Sequence, residues 1–208
     1  MARKAGSKGN LTAKAIADAA TALFAEHGYA AVSMRRIAAR VGVQAGALYN
    51  HFPTKQDVLA SVLTGHMAAL LEAFEALPAL TAGPVAALEG FARFHVRYHL
   101  TRKSDVFIAF MELRSLEPEN FRAVAALRQR YEYRVRDILA SGRSAGLFRI
   151  EDDHLSAMAL LAMLTGVTNW YRPDGRLSVA EIEEIYVGLT RRAVGLDIIH
   201  DQALRKAF

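Results

Sequence analysis

Cysteine is absent, so the chain can draw on no disulfide, no thiolate nucleophile and no sulfur-ligated metal. That absence fits a reducing cytoplasm, the expected location. Proline occurs at only five positions, each in an expected connection or at a helix start. No apolar–polar alternation suggests a strand, and no internal repeat or low-complexity tract occurs. The longest uncharged stretch, 155–171, includes Ser156, Thr165, Thr168 and Asn169. It falls short of the roughly 18–20 apolar residues a membrane span needs, so a buried or subunit-facing helix is expected and no membrane partner. Met1-Ala2-Arg3-Lys4 is basic but precedes no apolar run, so no secretion signal is expected. A Gly-rich phosphate loop, a Gly-x-Ser-x-Gly elbow and a metal-binding triad are all missing, so no catalytic residue and no cofactor are expected. His95 and His99 have the spacing that lets two imidazoles share a metal, yet no third ligand accompanies them, and no metal is expected.

What is present is apolar residue and positive charge. Hydrophobic residues make up 52% of the 208, enough for a sizeable core. The net charge is +5, and residues 1–60 hold eight Lys/Arg against three acids, so the whole excess lies there. Such asymmetry suits a polyanionic partner.

That basic segment also carries the sharpest pattern. Thr12–His27 keeps helical spacing through Ile16, Ala19, Ala20, Leu23 and Phe24, and Gly28 ends it; residues 1–10 read as a disordered basic arm. Ser33 can cap a short helix whose apolar face is Met34, Ile37, Ala38 and Val41. Gly42 stands where that helix must stop with positive φ. A second short helix is small-sided (Gln44, Ala45, Gly46, Ala47), so its backbone can approach a nucleic acid, with Leu48 and Phe52 anchoring it from behind. Tyr49, Asn50, His51 and Lys55 supply polar tips. Two short helices across a Gly-containing turn form the layout that sets a second helix into a DNA major groove.

The rest is helical too. Val58, Leu59, Val62, Leu63, Leu70 and Phe74 mark a helix from Lys55; Pro84 opens another, with Leu88, Phe91, His95 and Tyr98 on one face. Ser104 can cap a short helix, Pro118 opens a long one ended by Gly142 and Gly146, and a further helix spans about 152–171. Pro173-Asp174-Gly175 makes a turn, and Ser178 with Glu181 forms a capping box for the last. The fold class is all-α, with about nine helices.

Residues 12–63 resemble the DNA-binding domain of TetR-family transcriptional regulators. The resemblance rests on Ile16-Ala17-Asp18-Ala19-Ala20, Leu23-Phe24, Gly28-Tyr29, Ile37-Ala38, Val41-Gly42-Val43 and Leu48-Tyr49-Asn50-His51-Phe52 with Lys55. It implies a three-helix helix-turn-helix domain (10–56), a helical ligand-binding and dimerisation domain (57–200), and repression relieved by a small molecule. It implies phosphate contacts from Tyr49 and Lys55, and groove contacts from Arg35, Gln44, Ala45, Gly46 and His51. Ser33, Met34, Ala47 and Asn50 complete the expected DNA-binding set. Gln44 departs from the Ser or Thr helix cap common in the family, and Ala47 from its frequent hydroxyl residue. Asn169-Trp170-Tyr171-Arg172-Pro173-Asp174-Gly175 is similar to a Trp-Tyr-x-Pro-x-Gly stretch in a subgroup that controls fatty-acid, aromatic-acid or steroid catabolism. That likeness implies an acyl-CoA effector.

For such an effector the candidate pocket residues are Phe91, His95, Tyr98, Phe107, Phe110, Met111, Asn169 and Trp170, against the plainer reading of an ordinary core. Arg93, Arg97, Arg114, Arg122 and Arg128 could meet CoA phosphates or simply be solvated. The helices at 152–171 and 178–196 are apolar beyond one stripe, as a four-helix dimer interface requires; Met158, Leu161, Leu164, Ile182, Ile185, Tyr186 and Leu189 are its candidates. The expected function is a homodimeric, sequence-specific transcriptional regulator that binds double-stranded operator DNA and releases it on meeting the effector. The rivals are an acyl-CoA-binding thioesterase-like enzyme with an accessory DNA-binding head, and a sequence-neutral architectural DNA protein.

Overall fold

A computed structural model describes residues 4–196, which form nine α-helices and no strand. They are α1 (Lys4–His27), α2 (Met34–Val41), α3 (Ala45–Tyr49), α4 (Lys55–Glu75), α5 (Pro84–Thr101), α6 (Lys103–Met111), α7 (Pro118–Ser144), α8 (Asp153–Thr165) and α9 (Val179–Ala193). Short 3-10 turns cover Pro78–Thr81, Leu113–Ser115 and Gly166–Asn169.

Two compact units result: Met1–Ala69 with Lys103–Leu127, and Leu70–Arg102 with Arg128–Phe208. They are not contiguous in sequence. The first takes α6 and the start of α7 as well as the helix-turn-helix segment. Residue 200, the expected end of the second domain, lies outside the described residues.

The first unit is built on the apolar stripes of α1 and α4. Ile16, Ala20 and Phe24 of α1 and Val58 and Leu59 of α4 are fully buried, and Val106, Ile108 and Leu116 join them from the α6 side. Helix α1 begins at Lys4, so residues 4–10 are helical rather than a disordered arm; each residue added to an existing helix gains a hydrogen bond without new nucleation. Ser104 lies inside α6 rather than capping it. By length and composition α4 could cross a membrane, but half of that window is buried inside the fold, as in a core helix.

The second unit packs α5 against α8 and α9 and along the later part of α7. Leu88, Phe91, Ala92 and Val96 of α5 are fully buried. Bidentate pairs Arg97–Glu183 (2.6 and 2.7 Å) and Arg93–Glu184 (2.7 and 3.0 Å), with Arg191 on Glu89, fix the register of α9 on α5. Arg93 and Arg97 are therefore engaged within the protein. The capping box expected at Ser178 forms, with Glu181 bonded back to it.

Two expected helix ends differ. Helix α7 runs through Gly142 to Ser144, and Gly146, at φ 70°, makes the turn. Gly142 serves another purpose: a Cβ there would lie 2.0 Å from the Phe148 ring, so its bareness seats that buried phenyl. Helix α8 stops at Thr165, and the chain tightens into a 3-10 turn before Trp170.

His95 is the polar hub of this core. Its Nδ1 lies 2.9 Å from the Tyr131 hydroxyl of α7 and its Nε2 2.9 Å from the Thr165 hydroxyl of α8, so one imidazole joins three helices. The His99 ring stacks on it at 3.8 Å and donates from Nδ1 to the His95 carbonyl (2.8 Å). Burial, and secondarily His99, pushes the His95 pKa well below the ordinary imidazole range. The folded state thus keeps His95 neutral at pH values where the unfolded chain binds a proton. Stability is unaffected above the unfolded pKa of about 6.5 and falls below it by about 1.4 kcal/mol per pH unit for this residue. Thermal melts from pH 7.5 to 5.5 should show that loss, and His95→Gln should flatten the slope, most at the acid end where the difference approaches one proton; an unchanged slope in the variant contradicts the assignment.

Candidate nucleic-acid interface

The connection after α1 sets the reading segment. Ser33, in extended conformation, accepts the Arg36 backbone N–H on its hydroxyl at 3.2 Å, the cap its residue type predicts. Met34, Ile37 and Ala38 are buried, so Arg35, Arg36, Ala39 and Arg40 face outward. At the far end Gly42 adopts φ 78°, and the Gly42 and Val43 N–H groups both return to the Ala38 carbonyl at 3.0 Å.

The turn aims α3. Gln44 caps it through its backbone only: its carbonyl accepts from Ala47 and Leu48, and its side chain makes no capping bond. Leu48 is fully buried and Phe52 is 9% exposed, while Gln44, Gly46, Ala47, Tyr49 and Asn50 are exposed and Ala45 and His51 half-buried. A Cβ on Gly46 would meet nothing within 4 Å, so no neighbour within the chain requires glycine there. Among the described residues, Arg35 and Arg40 make no ion pair, and Arg36 contacts the His27 ring at 2.6 Å. The outward sides of α2 and α3 therefore carry small residues, a half-exposed phenol and, among the described residues, two guanidiniums without a carboxylate partner.

Two members of the expected DNA-binding set are placed differently. Met34 is 8% exposed and belongs to the core, because the first apolar position of α2 points inward. Lys55 turns back on the protein. Its ammonium donates to the carbonyls of Tyr29 (3.0 Å), Ala30 (3.4 Å) and Val32 (3.0 Å) and sits 4.3 Å from the Tyr29 ring centre. The α1–α2 connection leaves those carbonyls outside any helix, and three ammonium protons match three acceptors. By residue spacing alone Lys55 is only a lysine at the start of α4.

The expected pocket residues do not line one cavity. Phe91, His95 and Tyr98 are interior residues of the second unit, and both His95 nitrogens are engaged. Phe107, Phe110 and Met111 stand exposed on one face of α6 in the first unit. Asn169 and Trp170 are exposed, Trp170 stacking on Tyr186 at 6.5 Å. A cavity of about 460 Å³ lies elsewhere in the second unit, unforeseen from sequence, with Phe74, Leu80, Ala87 and Ile138 as its apolar wall. Glu75, Arg134 and Asp137 line its polar side. Arg130 and Arg134 bond Glu75, the former chiefly holding that carboxyl below its usual range.

The expected dimer residues divide as well. Leu164 and Ile182 are in the intrachain core. Met158, Ile185 and Leu189 are exposed, joined by Leu155 at 64%, while Leu161 and Tyr186 are half-buried.

Comparison with known proteins agrees with this architecture. Residues 16–62 match the family model for bacterial regulatory proteins of the tetR family, and 81–194 match a tetracyclin repressor-like C-terminal domain. The chain is 28% identical over 184 residues to the transcriptional repressor KstR2 of Mycobacterium tuberculosis, covering 84% of this chain and 91% of that one. The structure of the TetR-family regulator PfmR from Thermus thermophilus superposes with a TM-score of 0.77 at 35% identity, over 85% of this chain and 97% of that one. AibR, crystallised with isovaleryl coenzyme A and operator DNA, shares the fold (TM-score 0.77, 24% identity, 86% of this chain and 97% of that one). A basic helix-turn-helix followed by a helical domain, matched by both family models, means that the chain belongs to the TetR family of bacterial transcriptional regulators.

Proposed function

We propose that the protein is a homodimeric repressor that reads a duplex operator with α2 and α3 and lets go when a small molecule binds its second unit. The observation that carries this reading is the outward side of α3. Gly46, Ala47 and Tyr49 are exposed, a Cβ on Gly46 would meet nothing within 4 Å, and the outward-facing Arg35 and Arg40 of α2 make no ion pair among the described residues. Arginine without an acid is free to neutralise phosphate or pair with guanine, and a phenol can reach a phosphate oxygen. Two such heads fit half-sites about 34–36 Å apart.

The exposed Leu155, Met158, Ile185 and Leu189 supply the face that a second copy would cover. The cavity beside Phe74 suits the acyl part of an effector rather than its phosphates, since its wall is apolar and Glu75 and Asp137 are acidic. The AibR complex supports an acyl-CoA as the class to try first.

Binding to an operator selected from random duplex should distinguish the roles. Arg35→Ala is expected to weaken binding and lower the salt slope by about one, while Tyr49→Ala weakens it with little change of slope. Lys55→Ala should chiefly destabilise the fold, by about 1–3 kcal/mol, because it removes the charged donor that three backbone carbonyls share. Equal affinity for operator and random duplex supports the architectural rival.

Sedimentation of the 22.8 kDa chain should give twice that mass, and Ile185→Glu with Met158→Glu should give monomer; a monomeric wild type rejects the dimer. Calorimetric titration with isovaleryl-CoA should show heat and operator release, both lost in Ile138→Trp, which fills the cavity. No heat removes this effector class, and release of free CoA favours the thioesterase rival.

A further inference from the structure

We propose that Glu112 and Gln56 are positioning residues for the reading head: through Tyr29 they hold the α1–α2 connection, and hence α2 and α3, in one orientation against the segment after α6. The proposal rests on the DNA-reading assignment above.

Tyr29 follows Gly28, where φ of 77° takes the chain out of α1, so its backbone N–H has left the helix. That N–H donates to Glu112 Oε1 at 3.0 Å across 83 residues of sequence. The other carboxylate oxygen, Oε2, accepts the Ser115 hydroxyl at 2.8 Å, which fixes the carboxylate plane. Gln56, in the first turn of α4, bridges the same two residues. Its Nε2 donates to the Tyr29 hydroxyl (3.1 Å) and to the Ser115 carbonyl (2.7 Å), and its Oε1 accepts the Glu117 N–H (3.1 Å).

Tyr29 is thereby held at every polar atom: the N–H by Glu112, the carbonyl by Lys55 and the hydroxyl by Gln56. Its ring meets Phe24 edge-on at 5.3 Å. Only four residues separate Tyr29 from α2, so fixing Tyr29 fixes where the reading segment begins. Nothing local creates this clamp. Its members come from three distant stretches, and the bonds between those stretches close loops of 27, 59 and 83 residues. The clamp therefore forms only once α1, α4 and α6 have packed.

Electrostatics gives the proposal a sign that a general charge effect does not share. Removing a carboxylate from a DNA-binding protein should strengthen binding, since phosphates are repelled less. Removing a clamp should weaken it. The test uses the full-length protein and an operator enriched from random duplex by the wild type, with affinity measured over a salt series and fold checked by circular dichroism. Glu112→Ala is expected to weaken operator binding about fivefold to tenfold with an unchanged salt slope. Glu112→Gln should stay within about twofold of wild type, because an amide oxygen still accepts from Tyr29. Gln56→Ala should reproduce the loss, and carries the test should Glu112→Ala not fold. Hydrogen exchange at the Tyr29 amide should quicken in Glu112→Ala and not in Glu112→Gln. Operator binding that is unchanged or tighter in Glu112→Ala and Gln56→Ala overturns the clamp, as does a Gln variant as weak as the Ala one. A wild type that enriches no site overturns the DNA reading itself and this proposal with it.

Discussion

A helix of five residues cannot hold itself in water, because its nucleation cost exceeds what one turn of hydrogen bonds returns. Everything about the reading segment depends on how α3 is held from outside. Leu48 and Phe52 bury its inner side, Gly42 supplies the left-handed residue that turns the chain into it, and the buried stripe of α2 fixes the turn's other arm. With its inner side anchored, α3 can leave its outer side almost bare. Small residues there would be useless to a helix that needed its own side chains for support.

The same logic explains Lys55. A connection between two helices leaves backbone carbonyls outside the helical ladder, and the protein answers with one ammonium and a tyrosine ring beneath it. The positive charge at the start of α4 thus serves the scaffold, while the arginines of α2 face outward. In the second unit the comparable constraint is His95, which ties three helices through a neutral ring in an aromatic core. A polar hub of that kind demands complete satisfaction, since an unpaired nitrogen there would cost more than the bond it lost.

Much of the architecture was legible residue by residue. Ser33, Gly42, Pro84, Pro118 and Ser178 with Glu181 declare helix ends by local chemistry, and all act where their types predict. Positions that depend on a distant neighbour were not legible. Gly142 reads as a helix stop until Phe148 is seen lying against it. Phe107, Phe110 and Met111 have the spacing of a buried face, yet α6 turns that face outward. Leu164 and Ile182 look no different in sequence from Ile185 and Leu189, and only the packing of α8 and α9 against α5 separates core from open surface.

The order of residues alone determined an all-helical chain, the bounds of most helices, and a cationic two-helix reader near the amino end, because caps, turns and apolar periodicity act over a few residues. Tertiary structure alone decided which polar side chains face outward and which are consumed within: Lys55, His95, Gln56 and Glu112 find their partners across tens of residues. Hydrogen-bond partnership of that range is set by where helices come to rest against one another, and no local pattern encodes it.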